Sequence, residues 1–71
     1  MRVGRQVRVD CREGAPARVE GCQVEEVVGR WAWEDPLGGE SQEYWEVVAG
    51  GVLVLLRRDG GGAWYLERRY G

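Results

Sequence analysis

The sequence contains no histidine, lysine, threonine, phenylalanine, isoleucine or asparagine, and its only serine is Ser41. Without histidine, the chain lacks the side chain that most often acts as a general base or a metal ligand near neutral pH. A catalytic serine or cysteine needs such a base beside it, and nothing of that type can activate Cys11 or Cys22. We therefore expect a protein that is not an enzyme, with no catalytic residues, no cofactor and no small-molecule substrate.

Cysteine is also scarce, since Cys11 and Cys22 are the only two. A structural zinc site takes four Cys or His ligands, so we predict no metal site. In a reducing compartment we expect the two thiols to stay free and to behave as small buried hydrophobic residues, although the sequence leaves a single disulfide between them open. The adjacent acids Glu25 and Glu26 point to opposite faces of a strand, which argues against a paired-carboxylate site.

Long apolar runs are missing as well. The longest, at residues 52–56, is far shorter than the ~18 apolar residues that a membrane-spanning helix requires. The arginine-rich start of the chain lacks the apolar centre of a secretory signal peptide. We expect a cytoplasmic protein that makes no contact with a membrane.

The chain has 71 residues and a formal net charge of -2, which predicts one small domain over residues 1–71 with a thin core. The charge is unevenly spread: residues 1–12 and 57–69 are basic, whereas residues 13–46 carry nine acids against two arginines. One interpretation is that the basic ends pair with the acidic middle across neighbouring strands, and we favour it. The other is that the two ends meet and form a basic patch.

Apolar and polar residues alternate along most of the chain, which is typical of half-buried strands. Turn-forming residues separate the alternating segments, notably Gly50-Gly51 and residues 59–62, and the polar residues 34–43 form the main loop. The apolar run at residues 52–56 predicts a central strand that is covered on both faces. The six predicted strands cover residues 3–11, 17–19, 22–33, 44–49, 52–58 and 63–70.

Two segments, residues 22–31 and 42–49, leave a helical interpretation open. Val24, Val27, Val28 and Trp31 also fall at helical spacing, but three valines and a tryptophan favour a strand over residues 22–31. The fold class that we predict is therefore all-β: a small single domain of about six antiparallel strands, joined mostly by hairpins, in a curled sheet or a partly open small barrel.

Four short motifs follow one another from the middle of the chain to its end. They are E-V-V-G-R-W at residues 26–31, E-Y-W-E-V-V at 43–48, L-R-R-D at 56–59 and G-A-W-Y-L-E-R-R-Y at 62–70. In this order they resemble a family of small Trp-rich bacterial domains of unknown function, over about residues 16–71. The chain departs from that family in its first hairpin, where Val19 and Cys22 stand in place of aromatic residues. Some genes of this family lie near genes of Y-family, translesion-type DNA polymerases, so the resemblance implies an accessory role in DNA damage tolerance.

Seven aromatic residues are many for so small a core. Tyr44 and Trp45 are sequence neighbours, as are Trp64 and Tyr65, so at most one of each pair can face a one-sided core. One interpretation is that the large rings fill the end of the core. The other is a binding surface, for which the candidate residues are Trp31, Trp33, Arg57, Trp64, Arg68 and Arg69.

These features predict a non-catalytic protein-interaction module with sheet edges open to an added strand, and we expect a protein partner or self-association as a homodimer. The alternative is a small β-barrel that binds single-stranded nucleic acid by stacking bases on aromatic rings. Arginines clustered on one face with an exposed ring would support the alternative, whereas arginines paired with nearby acids would argue against it. The arginines concerned are Arg2, Arg8, Arg57, Arg68 and Arg69, and the acids are Glu25, Glu26 and Glu46.

Overall fold

The computed structural model describes residues 2–34, 36–39 and 41–71. These residues form strands and turns, and no helix among them is long and apolar enough to cross a membrane. The strands are β1 (Arg2–Val7), β2 (Val9–Arg12), β3 (Ala15–Val19), β4 (Cys22–Glu34), β5 (Ser41–Ala49), β6 (Val52–Arg58) and β7 (Trp64–Arg69).

The strands form one curled antiparallel sheet in the order β1-β7-β6-β5-β4-β3-β2. The first and last strands in this order are consecutive in the chain and are separated only by Arg8, so the sheet curls back toward its own starting edge. The all-β prediction is confirmed, with seven strands in place of about six. The extra strand arises because the predicted strand over residues 3–11 changes partner at Arg8, pairing with β7 before it and with β3 after it.

Tight hairpin turns join several neighbouring strands, as the sequence predicts. Gly50 and Gly51 connect β5 to β6 with φ values of 59° and 76°, the left-handed conformation that a two-residue hairpin turn requires. The predicted main loop over residues 34–43 is too long, because Glu34 still pairs with Ser41. Asp35 and Glu40, which belong to that loop, lie outside the described residues. The helical alternatives for residues 22–31 and 42–49 are wrong, since β4 and β5 are strands throughout.

The core lies on the inner face of the curled sheet. Its buried apolar residues come from the five strands β1, β3, β5, β6 and β7 and comprise Val7, Val19, Trp45, Val47, Ala49, Val54, Leu56, Trp64 and Leu66. Tyr44 and Tyr65 lie on the outer face, as the alternation of side chains predicts. Strand β6 is paired on both sides, but its outward residues Leu53 and Leu55 are only half-buried, so the prediction that it is covered on both faces is wrong.

Strand β4 has one edge that is paired only in part. Strand β5 pairs with it from Val24 to Glu34, whereas β3 pairs only with Cys22 and Gln23. Residues 24–34 therefore have one backbone edge that pairs with no strand in the described part of the chain. We call this the open edge of β4.

Candidate functional site

A row of aromatic and guanidinium side chains crosses the outer face of the sheet. The strand register places Trp31 of β4 opposite Tyr44 of β5, Tyr44 opposite Arg57 of β6, and Arg57 opposite Tyr65 of β7. The rings of Trp31 and Tyr44 are stacked, with centroids 5.8 Å apart and planes 13° apart. The guanidinium carbon of Arg57 lies 4.2 Å from the centroid of the Tyr65 ring. We call these four side chains the outer row.

The positive charge in the outer row is compensated locally. Arg57 Nε donates a hydrogen bond to Glu67 Oε1, and the side chains of the two residues are 21 % and 11 % exposed. This hydrogen bond raises the pKa of Arg57 above its ordinary value, although burial acts in the opposite direction. Arg57 is therefore charged and paired, and the outer row presents aromatic surface with little net charge.

A surface pocket of about 270 Å³ adjoins the row and is lined by Tyr44, Leu55, Glu67 and Arg68. Glu67 and Arg68 both border it because the register between β6 and β7 shifts there: Leu55 is opposite Arg68, and the next residue of β6 is opposite Leu66. Such a bulge turns two successive side chains toward one face. The pocket thus offers an apolar wall beside a paired acid and an exposed arginine.

Four of the six predicted site residues lie on this outer face. Trp31 and Trp33 are 45 % and 52 % exposed near the end of β4, Arg57 belongs to the outer row, and Arg68 lines the pocket. Trp64 does not belong to the surface, because it is only 7 % exposed and packs in the core with Arg58 over its ring.

Arg69, the sixth predicted residue, lies elsewhere. It is opposite Val54 in the sheet and lines a second cavity of about 210 Å³, which is bordered mainly by apolar core residues. An ion pair between Arg5 and Glu20 stands at the rim of this cavity. Cys22 also borders it. Both cysteines are free, but both are exposed, so the expectation that they are buried is wrong.

Two residues of the outer row, Tyr44 and Tyr65, were not among the predicted site residues. Their positions follow from a signal in the sequence. Trp64 and Leu66 share one side of β7, and Trp45 shares one side of β5 with two further apolar residues, so the tyrosines between them must face outward. If the alternation of side chains is given more weight than the size of the ring, the sequence predicts Tyr65, rather than Trp64, as the exposed residue of this pair.

Most other arginines are paired or lie over rings. Arg30 and Arg58 both approach Glu43, at 2.8 and 3.8 Å, and Arg8 lies 3.7 Å from Asp10. The pairs Arg5–Glu20 and Arg58–Glu43 join the basic ends to the acidic middle, in agreement with the interpretation that we favoured. The acids differ from those expected, however, since none of these pairs uses Glu25, Glu26 or Glu46.

Among the described side chains of the arginines concerned, only Arg57 and Arg68 lie together on one face of the sheet with exposed rings. The side chain of Arg2 lies outside the described part of the structure. Within that part, no group of three or more His, Cys, Asp or Glu residues is arranged to hold a metal ion.

Comparison of the chain with known proteins finds no matching family model, no similar curated protein and no similar solved structure.

Proposed function

We propose that the protein is a non-catalytic protein-interaction module that binds its partner through the outer row, Trp33 and the adjoining pocket. The observation that carries the proposal is the run of partly exposed rings from Trp31 to Tyr65 with the charge of Arg57 compensated by Glu67. Aromatic and arginine side chains contribute most of the binding energy in many protein interfaces, and such interfaces need no positive field.

The alternative function is binding of single-stranded nucleic acid. The stacking of Trp31 on Tyr44 favours it, because bases stack on rings presented in this way. Charge argues against it: the net charge is -2, and Arg57 is held by Glu67 rather than left free for a phosphate. We therefore place protein binding first.

The resemblance of residues 16–71 to small Trp-rich bacterial domains supports a narrower form of the proposal. In that form the module is an accessory factor in DNA damage tolerance, and its partner is a Y-family, translesion-type polymerase of the same cell. The outer row is the surface with which the polymerase would be bound.

The test is capture of partners by the immobilised protein, compared with two variants. We expect Tyr65→Ala to lose the captured partner, since it removes the ring at the β7 end of the outer row, against which Arg57 lies. The control is Leu37→Ala, which removes an apolar side chain that is 93 % exposed and neither belongs to the outer row nor lines the adjoining pocket. The polymerase is then tested by direct titration of the purified proteins. Equal capture by both variants would refute the assigned surface.

A titration with fluorescent single-stranded DNA separates the two functions. We expect no binding at low salt. Binding that weakens by orders of magnitude between about 50 and 200 mM salt would show phosphate contacts and would favour the alternative.

A further inference from the structure

Residues 30–34 occupy the last part of the open edge of β4. These five residues pair with β5 without interruption, and the shifts of register lie earlier in the strand, between Val24 and Glu26 and between Val27 and Gly29. The segment is thus a regular strand with one free edge and exposed side chains. Free N–H and C=O groups along such an edge are a template for an added strand.

The sequence of this segment is complementary to itself. It reads Arg30, Trp31, Ala32, Trp33, Glu34. When two copies run antiparallel with Ala32 opposite Ala32, each Arg30 faces a Glu34 and each Trp31 faces a Trp33. Opposite charges and aromatic pairs directly across an antiparallel ladder both stabilise the pairing. An arrangement of this kind has the two-fold symmetry of most homodimers.

The faces of the strand agree with this register. Arg30 is opposite the buried Trp45, so Arg30, Ala32 and Glu34 lie on the inner side of β4, and the two tryptophans lie on the outer side. We propose that two copies of the chain associate by antiparallel pairing of their β4 open edges about a two-fold axis at Ala32. The dimer holds two Arg30–Glu34 ion pairs on one face and four tryptophan rings on the other.

Other registers of the same segment are less favourable. An axis at Arg30 places two arginines directly opposite each other, which is repulsive. An axis at Trp31 places Arg30 opposite Ala32 and leaves no ion pair. The ion pair between Arg30 and Glu43, at 2.8 Å, does not compete, because a guanidinium carries five N–H donors and can serve two carboxylates.

The interface is short, so the dimer is expected to be reversible and to depend on protein concentration. Pairing would join the two sheets into one and would bring the two outer rows together across the axis. Self-association is measured on the purified chain alone, so its outcome is independent of the partner proposed above.

Charge exchange tests the register. We expect the wild-type protein to dimerise in sedimentation equilibrium, and Glu34→Arg to weaken the dimer by about tenfold or more, because two Arg–Arg contacts replace two ion pairs. No ion pair within the described residues involves Glu34, so the fold of this variant is retained. Glu26→Arg makes the same change of charge on β4 outside the segment and should leave the dimer unchanged.

Mixing provides the decisive experiment. Arg30→Glu alone is expected to weaken the homodimer in the same way, but an equimolar mixture of Arg30→Glu and Glu34→Arg should form a heterodimer with both ion pairs restored. The double variant Arg30→Glu, Glu34→Arg should likewise dimerise with itself. A monomeric wild-type protein at millimolar concentration, an unaffected Glu34→Arg variant, or a mixture that stays monomeric would each overturn the proposal.

Discussion

Among the described residues, Arg57 and Glu67 form the most enclosed ion pair, with 21 % and 11 % of the two side chains exposed. Its position in the middle of the outer row means that it affects stability and surface charge together. The raised pKa of Arg57 means that its protonated form is stabilised by folding. That contribution is lost as the pH rises through the raised pKa of Arg57, far above neutral, so it does not vary near neutral pH.

Removing one partner of this pair should cost more than removing both. We expect Glu67→Ala to lower the free energy of unfolding by about 2 kcal/mol, less than the roughly 3–5 kcal/mol for fully buried pairs, because Arg57 keeps some contact with water. The double variant Arg57→Met, Glu67→Leu should lie within about 1 kcal/mol of the wild type. Urea denaturation measures both, and Glu26→Ala, an exposed acid on β4, is the control. An equal loss in the single and double variants would contradict this account.

The choice of Trp64 as a surface residue shows where sequence reasoning is weakest at this scale. The alternation along β7 fixes only that Trp64 and Tyr65 face opposite ways, and the exposed side of the pair depends on which neighbours are apolar. Leu66 decides it, since it shares a side with Trp64 and both are 7 % exposed. Glu67 shares a side of β7 with Tyr65, so alternation alone places it on the outer face. Arg68 reaches that face only through the bulge between Leu66 and Arg68, which no local pattern announces.

At the scale of elements, three hairpin turns share one geometry. Both turn residues have positive φ at Glu13-Gly14, Glu20-Gly21 and Gly50-Gly51. The first two turns place a glutamate at φ 54° and 50°, a conformation that asparagine and glycine adopt far more readily.

We therefore expect Glu13→Asn to raise the free energy of unfolding by about 0.5 kcal/mol, since asparagine tolerates the left-handed region and Glu13 is exposed. Glu13→Val should lower it by about 1 kcal/mol or more, because a β-branched residue is poorly suited to positive φ. Thermal unfolding followed by circular dichroism measures both. Glu20→Asn makes the same change in the second turn but also removes the ion pair between Glu20 and Arg5. Its gain in the free energy of unfolding should therefore be smaller than that of Glu13→Asn. A lower stability for Glu13→Asn would show that the turn is not strained.

The turns were the part of the fold that the sequence predicted best, because glycine and alternating apolar residues act locally. The break at Arg8 was missed for the opposite reason. Residues 3–11 alternate as one strand, and the change of partner there depends on β7 and β3, which are distant in sequence. The sequence predicts sheet edges that are open to an added strand, but it does not predict that the open edge belongs to β4. The position of that edge depends on how short β3 is relative to β4.

At the scale of the whole molecule, β1 lies at one end of the strand order and leads directly into β2 at the other end. Glu20 strengthens this junction twice, since its backbone N–H donates to the carbonyl of Arg8 at 2.8 Å and its side chain pairs with Arg5. Strand β1 also covers the edge of β7 and brings Val7 into the core. The curled shape of the sheet thus depends on the first strand being in place.

Deleting residues 2–6 should therefore abolish cooperative unfolding, because it uncovers the edge of β7 and opens the cavity that Arg5 borders. We expect a broad thermal transition, binding of a hydrophobic dye and concentration-dependent association through the exposed edge. Arg5→Ala is the matched control: it keeps the backbone pairing of β1 and removes only an exposed ion pair, so it should cost about 1 kcal/mol or less. A truncated chain that melts as sharply as the wild type would show that β2 to β7 hold the curled sheet without β1, and that the junction at Arg8 contributes little to the fold.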